Sequence, residues 1–457
     1  MFKKHIRIAT LLLIIFTVFL SACVVGGYDK GENPFHKNPS ETTNLFETPK
    51  AIDNPVPENP KDFVPLDMTQ ETVVITTAAG LAQLASEVNG GFDTSGKTYV
   101  LGNDIDLDVA PYNTGKGWTS IGFGTFEGSP FPFRGVFDGN GKKIAGLFID
   151  NKDLLRVGLF GQVEGKSAKI QNLSLTDVNI TSNGPYTGAI ASAFLGAAIT
   201  NCHGFGTINI VSSPNVNTTD VGGLVGDFAA GDMVNCSFQG TVSGSVSVGG
   251  LVGCSFGNIA NSFFDGDVKG SDGCVGGISG GSYGGDIINC YSAGIVKGGA
   301  VVGGILGDIN QGTVANCYST ALIGGDTGSI GGIIGRLYSG VIKNCVALNS
   351  VVETNAETSR GSLGRVVGQI WDEIWDGKDV QLINNYAIDH MAVKTGGADK
   401  ILVEGLDAVD GLGIAEDDVL ADSFWVDSKN WVDIAWDADI WVLKNGMLPS
   451  FKRAMPL

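Results

Sequence analysis

Val-Gly-Gly-Leu-Val-Gly at 221–226 returns unchanged at 248–253 and, slightly altered, as VGGISG at 275–280, VGGILG at 302–307 and IGGIIG at 330–335. Successive starts lie 27, 27, 27 and 28 residues apart. Looser copies flank the run: VGLFG at 157–161, TGAIA at 187–191 and LGRVVG at 363–368. A constant period of this length marks a stacked repeat, in which each unit buries its apolar face only against its neighbours. The paired glycines Gly222, Gly223, Gly249, Gly250, Gly276, Gly277, Gly303, Gly304, Gly331 and Gly332 are read as the turn residues of that repeat.

A second signal has the same period. Asn201-Cys202, Asn235-Cys236, Asn261-Ser262, Asn289-Cys290, Asn316-Cys317 and Asn344-Cys345 recur, with Asn172-Leu173 as an earlier copy. Two residues before each Asn sits an apolar side chain, from Ile170 and Ile199 through Met233, Ile259, Ile287 and Val314 to Ile342. That position and the Cys position are three apart. Two-residue alternation cannot bury both, so a bend is expected at the Asn, which tolerates left-handed backbone. Cys202, Cys236, Cys290, Cys317 and Cys345 are then expected to stack as a reduced repeat core, because a free thiol is a good small core residue. Cys254 and Cys274 occupy other repeat positions, and no Cys-x-x-Cys pair suggests structural zinc.

Each unit holds three short β stretches and leaves no room for a helix. The expected fold is all-β: a parallel right-handed β-helix of about 27-residue coils over residues 118–370. Residues 71–117 form an N-terminal cap, in which Thr76 or Thr77 starts an amphipathic helix carrying Leu81, Leu84, Ala85 and Val88 on one face. Residues 371–457 hold six of the seven Trp and are read as a C-terminal cap over the last coil.

The 457 residues include 68 Gly, but the collagen triplet is absent and 43% of residues are hydrophobic, so the glycines belong to a packed fold. The net charge of −19 argues against a nucleic-acid partner. Lys3, Lys4 and Arg7, then an apolar run from Ile8 to Leu20, then Leu20-Ser21-Ala22-Cys23, resemble a bacterial lipoprotein signal peptide. That reading makes 1–22 a removed leader, Cys23 the lipidated residue, and 23–70, with seven of the 14 prolines, a solvated tether. The membrane would then be a partner through the lipid on Cys23. Val24 follows it in place of the Asp that often retains lipoproteins inside a double-membrane cell, which points outward.

Gly223–Gly226 and Gly250–Gly253, with Asn103–Leu107, Ser120-Ile121-Gly122, Phe133–Gly141, Asn384–Ala387 and Trp441–Pro449, resemble the GLUG-motif family of bacterial surface proteins over roughly residues 71–450. The resemblance implies an envelope or secreted location and brings no catalytic residue set. Some immunoglobulin A-specific metallopeptidases carry the motif beside a zinc protease domain. The four His here, His5, His36, His203 and His390, form no His-Glu-x-x-His.

Three further readings concern chemistry. Asp104, Asp106 and Asp108 alternate on one strand face, where a calcium site competes with a plain solvated edge. No cofactor is expected, with calcium at these three residues as the alternative. Trp431 and Trp436 are candidates for stacking on sugar rings, against a role in closing a core. The residue after each Gly phrase is Asp227, Cys254, Gly281, Asp308 or Arg336. Asp308 and Arg336 fall on neighbouring coils and read as a surface ion pair. A polysaccharide lyase or glycoside hydrolase would need a larger exposed cluster of acids. The sequence therefore points to a non-catalytic, lipid-anchored envelope protein, at the outer membrane or cell surface where two membranes exist. Its solenoid would serve adhesion, surface architecture, or binding of a host or matrix glycan or protein.

Overall fold

The computed structural model describes residues 64–124, 128–211, 219–355, 362–371, 379–433 and 436–452. Cys23, the leader and nearly all of the tether lie outside them. The chain is a parallel β-helix. In one coil Ser247–Gly249, Val252–Ser255, Asn258–Ala260 and Phe263–Gly270 succeed one another. The next coil repeats them, pairing in parallel as Ser247 with Cys274, Val252 with Ser279, Ile259 with Ile287 and Phe263 with Tyr291. The strands that open the Gly phrases stack into one eight-stranded parallel sheet.

The phrase glycines are required by close approach rather than by backbone sign. None of the ten has a positive φ. A Cβ on the first Gly of each pair would fall within 3.0 Å of the carbonyl three residues ahead, and on the second, of a carbonyl in the next coil. Only a missing side chain lets the backbones meet there.

The Asn bend is present. Asn172, Asn201, Asn235, Asn261, Asn289, Asn316, Asn344 and Asn384 all have φ between 52° and 57°. Their amides bond along the rod: Asn201 Nδ2 donates to Asn172 Oδ1 at 3.0 Å, Asn235 to Asn201 at 3.2 Å, Asn289 to Asn261 at 3.1 Å and Asn384 to Asn344 at 2.9 Å. Asn thus supplies both the left-handed backbone and a link to the next coil. After each bend the chain alternates strictly, with Cys317 and Ser319 facing in and Tyr318 facing out.

At the N-terminal end, Thr72–Ile75, Thr98–Leu101 and Val136–Ala145 stack in parallel, so this region contributes coils as well as a helix. The helix Ala78–Asn89 starts at Thr77, whose Oγ1 accepts from Gly80 N at 3.1 Å, and its Leu81, Leu84, Ala85 and Val88 are fully buried. Its last side chain, Asn89, accepts from Gly122 N at 2.8 Å and Phe123 N at 3.2 Å, which ties the helix to the first coils.

Two expectations about the C-terminal end need correction. Coiling does not stop at residue 370. Val380–Ile383 pairs with the strand Ile334–Lys343, Tyr386–Ile388 with Val346–Ala347, and Ala392–Thr395 with Val351–Thr354. Nor does the Trp-rich segment cover the last coil. The end is closed by a loop around Asp410, whose buried carboxylate accepts from Arg365 N, Val403 N and Lys400 Nζ at 2.7–2.9 Å. The Trp segment folds back along the flank instead. An outward ladder of Phe263, Tyr291, Tyr318, Val346 and Tyr386 runs up the rod, with stacked ring centroids 4.9 Å and 5.0 Å apart. Trp431 meets Tyr386, Trp441 meets Tyr318, and Phe451 meets Tyr291 and Phe263. Tyr318 Oη donates to Pro449 O at 2.6 Å, and Asn344 exchanges two hydrogen bonds with the backbone of Val432. The ladder gives these rings aromatic faces to pack on, while the coil end carries its own loop.

Gly250→Ala is expected to lower the denaturant midpoint by an amount equivalent to about 1–3 kcal/mol, since its methyl would strike the Gly277 carbonyl and the Phe264 ring. Gly324→Ala, whose Cβ would meet nothing nearer than 3.5 Å, is expected to be neutral or stabilising. Equilibrium unfolding in urea checks both.

Candidate functional site: the flanks of the coil

The cysteine positions share one local geometry. Each thiol donates to the carbonyl two residues back: Cys202 to Thr200, Cys236 to Val234, Cys290 to Ile288 and Cys345 to Lys343 at 3.4 Å, and Cys317 to Ala315 at 3.3 Å. Ser262 Oγ does the same with Ala260 O at 2.7 Å, which explains the Ser at that place in one unit. The site needs a small side chain that can satisfy a carbonyl at the bend. All seven cysteines among the described residues are buried thiols outside any disulfide. Burial pushes the Cys202 and Cys317 thiols well up, so these sulfurs are inert donors rather than nucleophiles.

The calcium reading of Asp104, Asp106 and Asp108 is not supported. All three are exposed, and they engage their own chain. Asp104 accepts from Lys143 N at 3.0 Å, Asp106 from Asp108 N at 2.8 Å, and Asp108 from Asn113 Nδ2 at 3.1 Å. Among the described residues no group of three or more His, Cys, Asp or Glu side chains is arranged to hold a metal ion. Ile105 and Leu107 between them are buried, so the three carboxylates share the outer side of the strand beside Lys143 and Asn113.

The sugar-stacking reading also fails on burial. Trp431 is 6% exposed and Trp436 2%. Both rings lie inside a cluster with Trp425 and Trp441, at centroid distances of 4.5–5.8 Å, so neither face is open to a ligand.

The Asp308–Arg336 pair is not a surface pair. Asp308 is fully buried, Arg336 is 8% exposed, and Arg336 Nη2 donates to Asp308 Oδ2 at 2.8 Å. Cys274 Sγ approaches the same oxygen at 3.7 Å, and the guanidinium lies over the rings of Tyr338 and Trp371. Burial pushes the Asp308 carboxyl up while Arg336 pulls against it. A related cluster lies nearer the N-terminal end. The Arg156 guanidinium sits 4.8 Å from the Tyr186 ring centroid, beside half-buried Asp227, whose carboxyl burial pushes up to about 6 against the pull of Arg156.

The sequence pairs Asp308 with Arg336 but does not show the burial of that pair, its Cys274 partner or the Arg156 cluster. The residue after each Gly phrase gives Asp227, Asp308 and Arg336, but their partners Arg156, Tyr186 and Cys274 precede the phrase. The strand that opens each phrase stacks with its own kind, as Tyr186, Asp220, Ser247 and Cys274 do in turn. It thereby forms a second row beside the first. Reading positions on both sides of the phrase together would have found them. Chemically, each cluster sets a carboxylate whose pKa burial raises against a guanidinium that pulls it back.

The parallel β-helix places the chain in the class of stacked-repeat proteins. Within that class it carries the GLUG motif, whose family model matches residues 244–269. Halomucin of Haloquadratum walsbyi is 33% identical over 140 residues, which is 30% of this chain and 1% of that protein. A protein of Evansella cellulosilytica described as a Gly-rich membrane protein is 34% identical over 131 residues, or 29% of this chain and 13% of the relative. The chain therefore spans a small part of either relative. A solved Bacteroides ovatus structure, titled as an immunoglobulin A1 protease, aligns with TM-score 0.46 and 20% identity over 83% of this chain and 92% of its own. A likeness that loose has no bearing on activity.

Two outcomes follow. Denatured without reductant, the chain is expected to yield all seven of these thiols to alkylation, while the native protein shields them; thiol counting in both states is the check. For Asp227, the folded pKa lies above the ordinary 3.8, so its ionisation destabilises the fold and wild-type stability is lost as pH rises from about 4 to about 6. The melting temperature of Asp227→Asn minus that of wild type should therefore grow across this window and level off above it. His203, which burial pushes down to about 4, titrates in both proteins and cancels.

Proposed function

We propose that the protein is a non-catalytic cell-envelope lipoprotein, anchored through lipid on Cys23, that displays its β-solenoid for adhesion, ligand binding or surface architecture. The observation that carries this reading is how the chain spends its ionisable groups. The Asp308–Arg336 pair is enclosed in the fold, while long outward ladders repeat at one residue per coil along the flanks. Stacked coils of this kind build extended faces more readily than enclosed pockets. The similarity to halomucin and to a protein described as membrane-located supports an envelope setting. Among the described residues no helix is long and apolar enough to cross a membrane. Each buried methylene of the acyl chains would contribute ~0.8 kcal/mol, so the multiple chains of a processed lipoprotein hold firmly.

Cys23→Ala in the native host is expected to abolish incorporation of a fatty-acid label and to shift the protein out of the membrane fraction. Surface proteolysis of intact cells should reach the wild-type solenoid. Unlabelled wild type with unchanged fractionation of the variant would overturn the anchor, and full protection from protease would overturn display.

A further inference from the structure

One outward row combines two locally unfavourable choices. It reads Ser243, Lys269, Lys297, Gly324, Glu353, Lys394, one residue per coil in parallel register. Lys269 and Lys297 are directly opposed and both exposed, an arrangement that costs stability through like-charge repulsion at a coil spacing of ~4.8 Å. Lys269 is half-compensated by Asp267 at 3.2 Å; among the described residues Lys297 makes no ion pair. The next position, Gly324, lacks a side chain and lies buried beneath the Lys297 stem. Its φ is not positive, and an added Cβ would meet only the Lys297 stem, at 3.5 Å or more. Glycine inside a strand loses more chain entropy on folding than alanine does, and neither backbone sign nor a backbone clash requires it here. Departures from local rules without a structural return mark sites kept for another purpose.

The two choices meet in an open groove of about 310 Å³. The lysines border one half, and Asp326, Glu353 and Asn355 border the other. We infer that this groove binds an acidic, carboxylate-bearing polysaccharide, and this rests on the surface-display reading above. A uronic-acid chain carries what the groove asks for within the span of two coils. Its carboxylate pairs with Lys269 and Lys297, and its ring hydroxyls donate to Glu353, Asp326 and Asn355. An acidic peptide matches the lysines but offers few donors to the acidic half, and the net charge of −19 disfavours a polyanion without such donors.

The test is calorimetric titration of the purified full chain in detergent with oligogalacturonate. Saturable binding is expected. It should weaken about tenfold or more in Lys297→Gln, which keeps the stem, and in Gly324→Gln, which fills the groove. Lys394→Gln, on the same row outside the groove, should bind as wild type. Circular dichroism melting should show all variants folded. Absence of binding by wild type, binding unchanged in both groove variants, or equal affinity for poly-glutamate or a sulfated glycan would each overturn the inference. Lipid labelling and surface exposure are measured separately, so failure here leaves the anchoring result standing.

Discussion

The rod depends on backbone meeting backbone where side chains are missing. At each Gly phrase a carbonyl of one coil occupies the space that a Cβ of its neighbour would claim, as Gly277 O does over Gly250 and Gly304 O over Gly277. That approach lets Leu251 N and Val252 N both reach Ile278 O, and Ile305 N and Leu306 N both reach Ile333 O. The turn's amide groups are thus satisfied by the next coil without water or side chains. Once the backbone holds the period, the following residue is free to vary as widely as Asp227, Cys254, Gly281, Asp308 and Arg336 do.

The Asn bend transmits that period to the rest of the coil. Because eight Asn share the left-handed conformation, the residues after the bend keep one orientation from unit to unit: in six of the eight a thiol or hydroxyl turns inward, and from Phe263 to Tyr386 the outward residue is aromatic except at Val346. Inward, the small donor settles a carbonyl that the bend would strand. Outward, the same alternation lines up Phe263, Tyr291, Tyr318 and Tyr386 as an apolar stripe that no soluble protein leaves bare. The C-terminal segment answers that stripe. It fastens to Asn344 and Asn384, the same residues that make the bend, through Val432 and Asn430.

How far the sequence could be read follows from this division. The phrase and the Asn-Cys pair were legible because backbone constraints repeat at one position per coil. The helix from Ala78 was legible from its cap and its apolar spacing. The destination of the Trp segment was not. Trp425, Trp431, Trp436 and Trp441 announce burial, but irregular spacing says nothing about which surface they bury. The depth of Asp308 and Arg336 was hidden for a related reason. Their position alternates correctly for an outward residue, and only the second row of strands, passing in front of it, encloses them. The alternation of Asp104, Asp106 and Asp108 was read correctly, yet a shared face does not make charges converge.

The same enclosure decides where function has room. Cysteines at the bend, the Arg–Asp pair beside the Gly phrase and Asp410 at the coil end are each committed to a backbone or a countercharge. Altering them would disturb the stack before it altered recognition. Apart from the aromatic ladder that the C-terminal segment covers, the outward rows carry no such duty. Along them residue type changes from coil to coil while the backbone does not, so charge and shape vary in steps of one coil on a fixed lattice. Ser243, Lys269, Lys297, Gly324 and Glu353 pass from neutral to basic to empty to acidic within five coils. A linear partner with its own chemical repeat is the kind of ligand that such a ruled surface distinguishes best, because a mismatch at one coil is felt without any change in the fold beneath it.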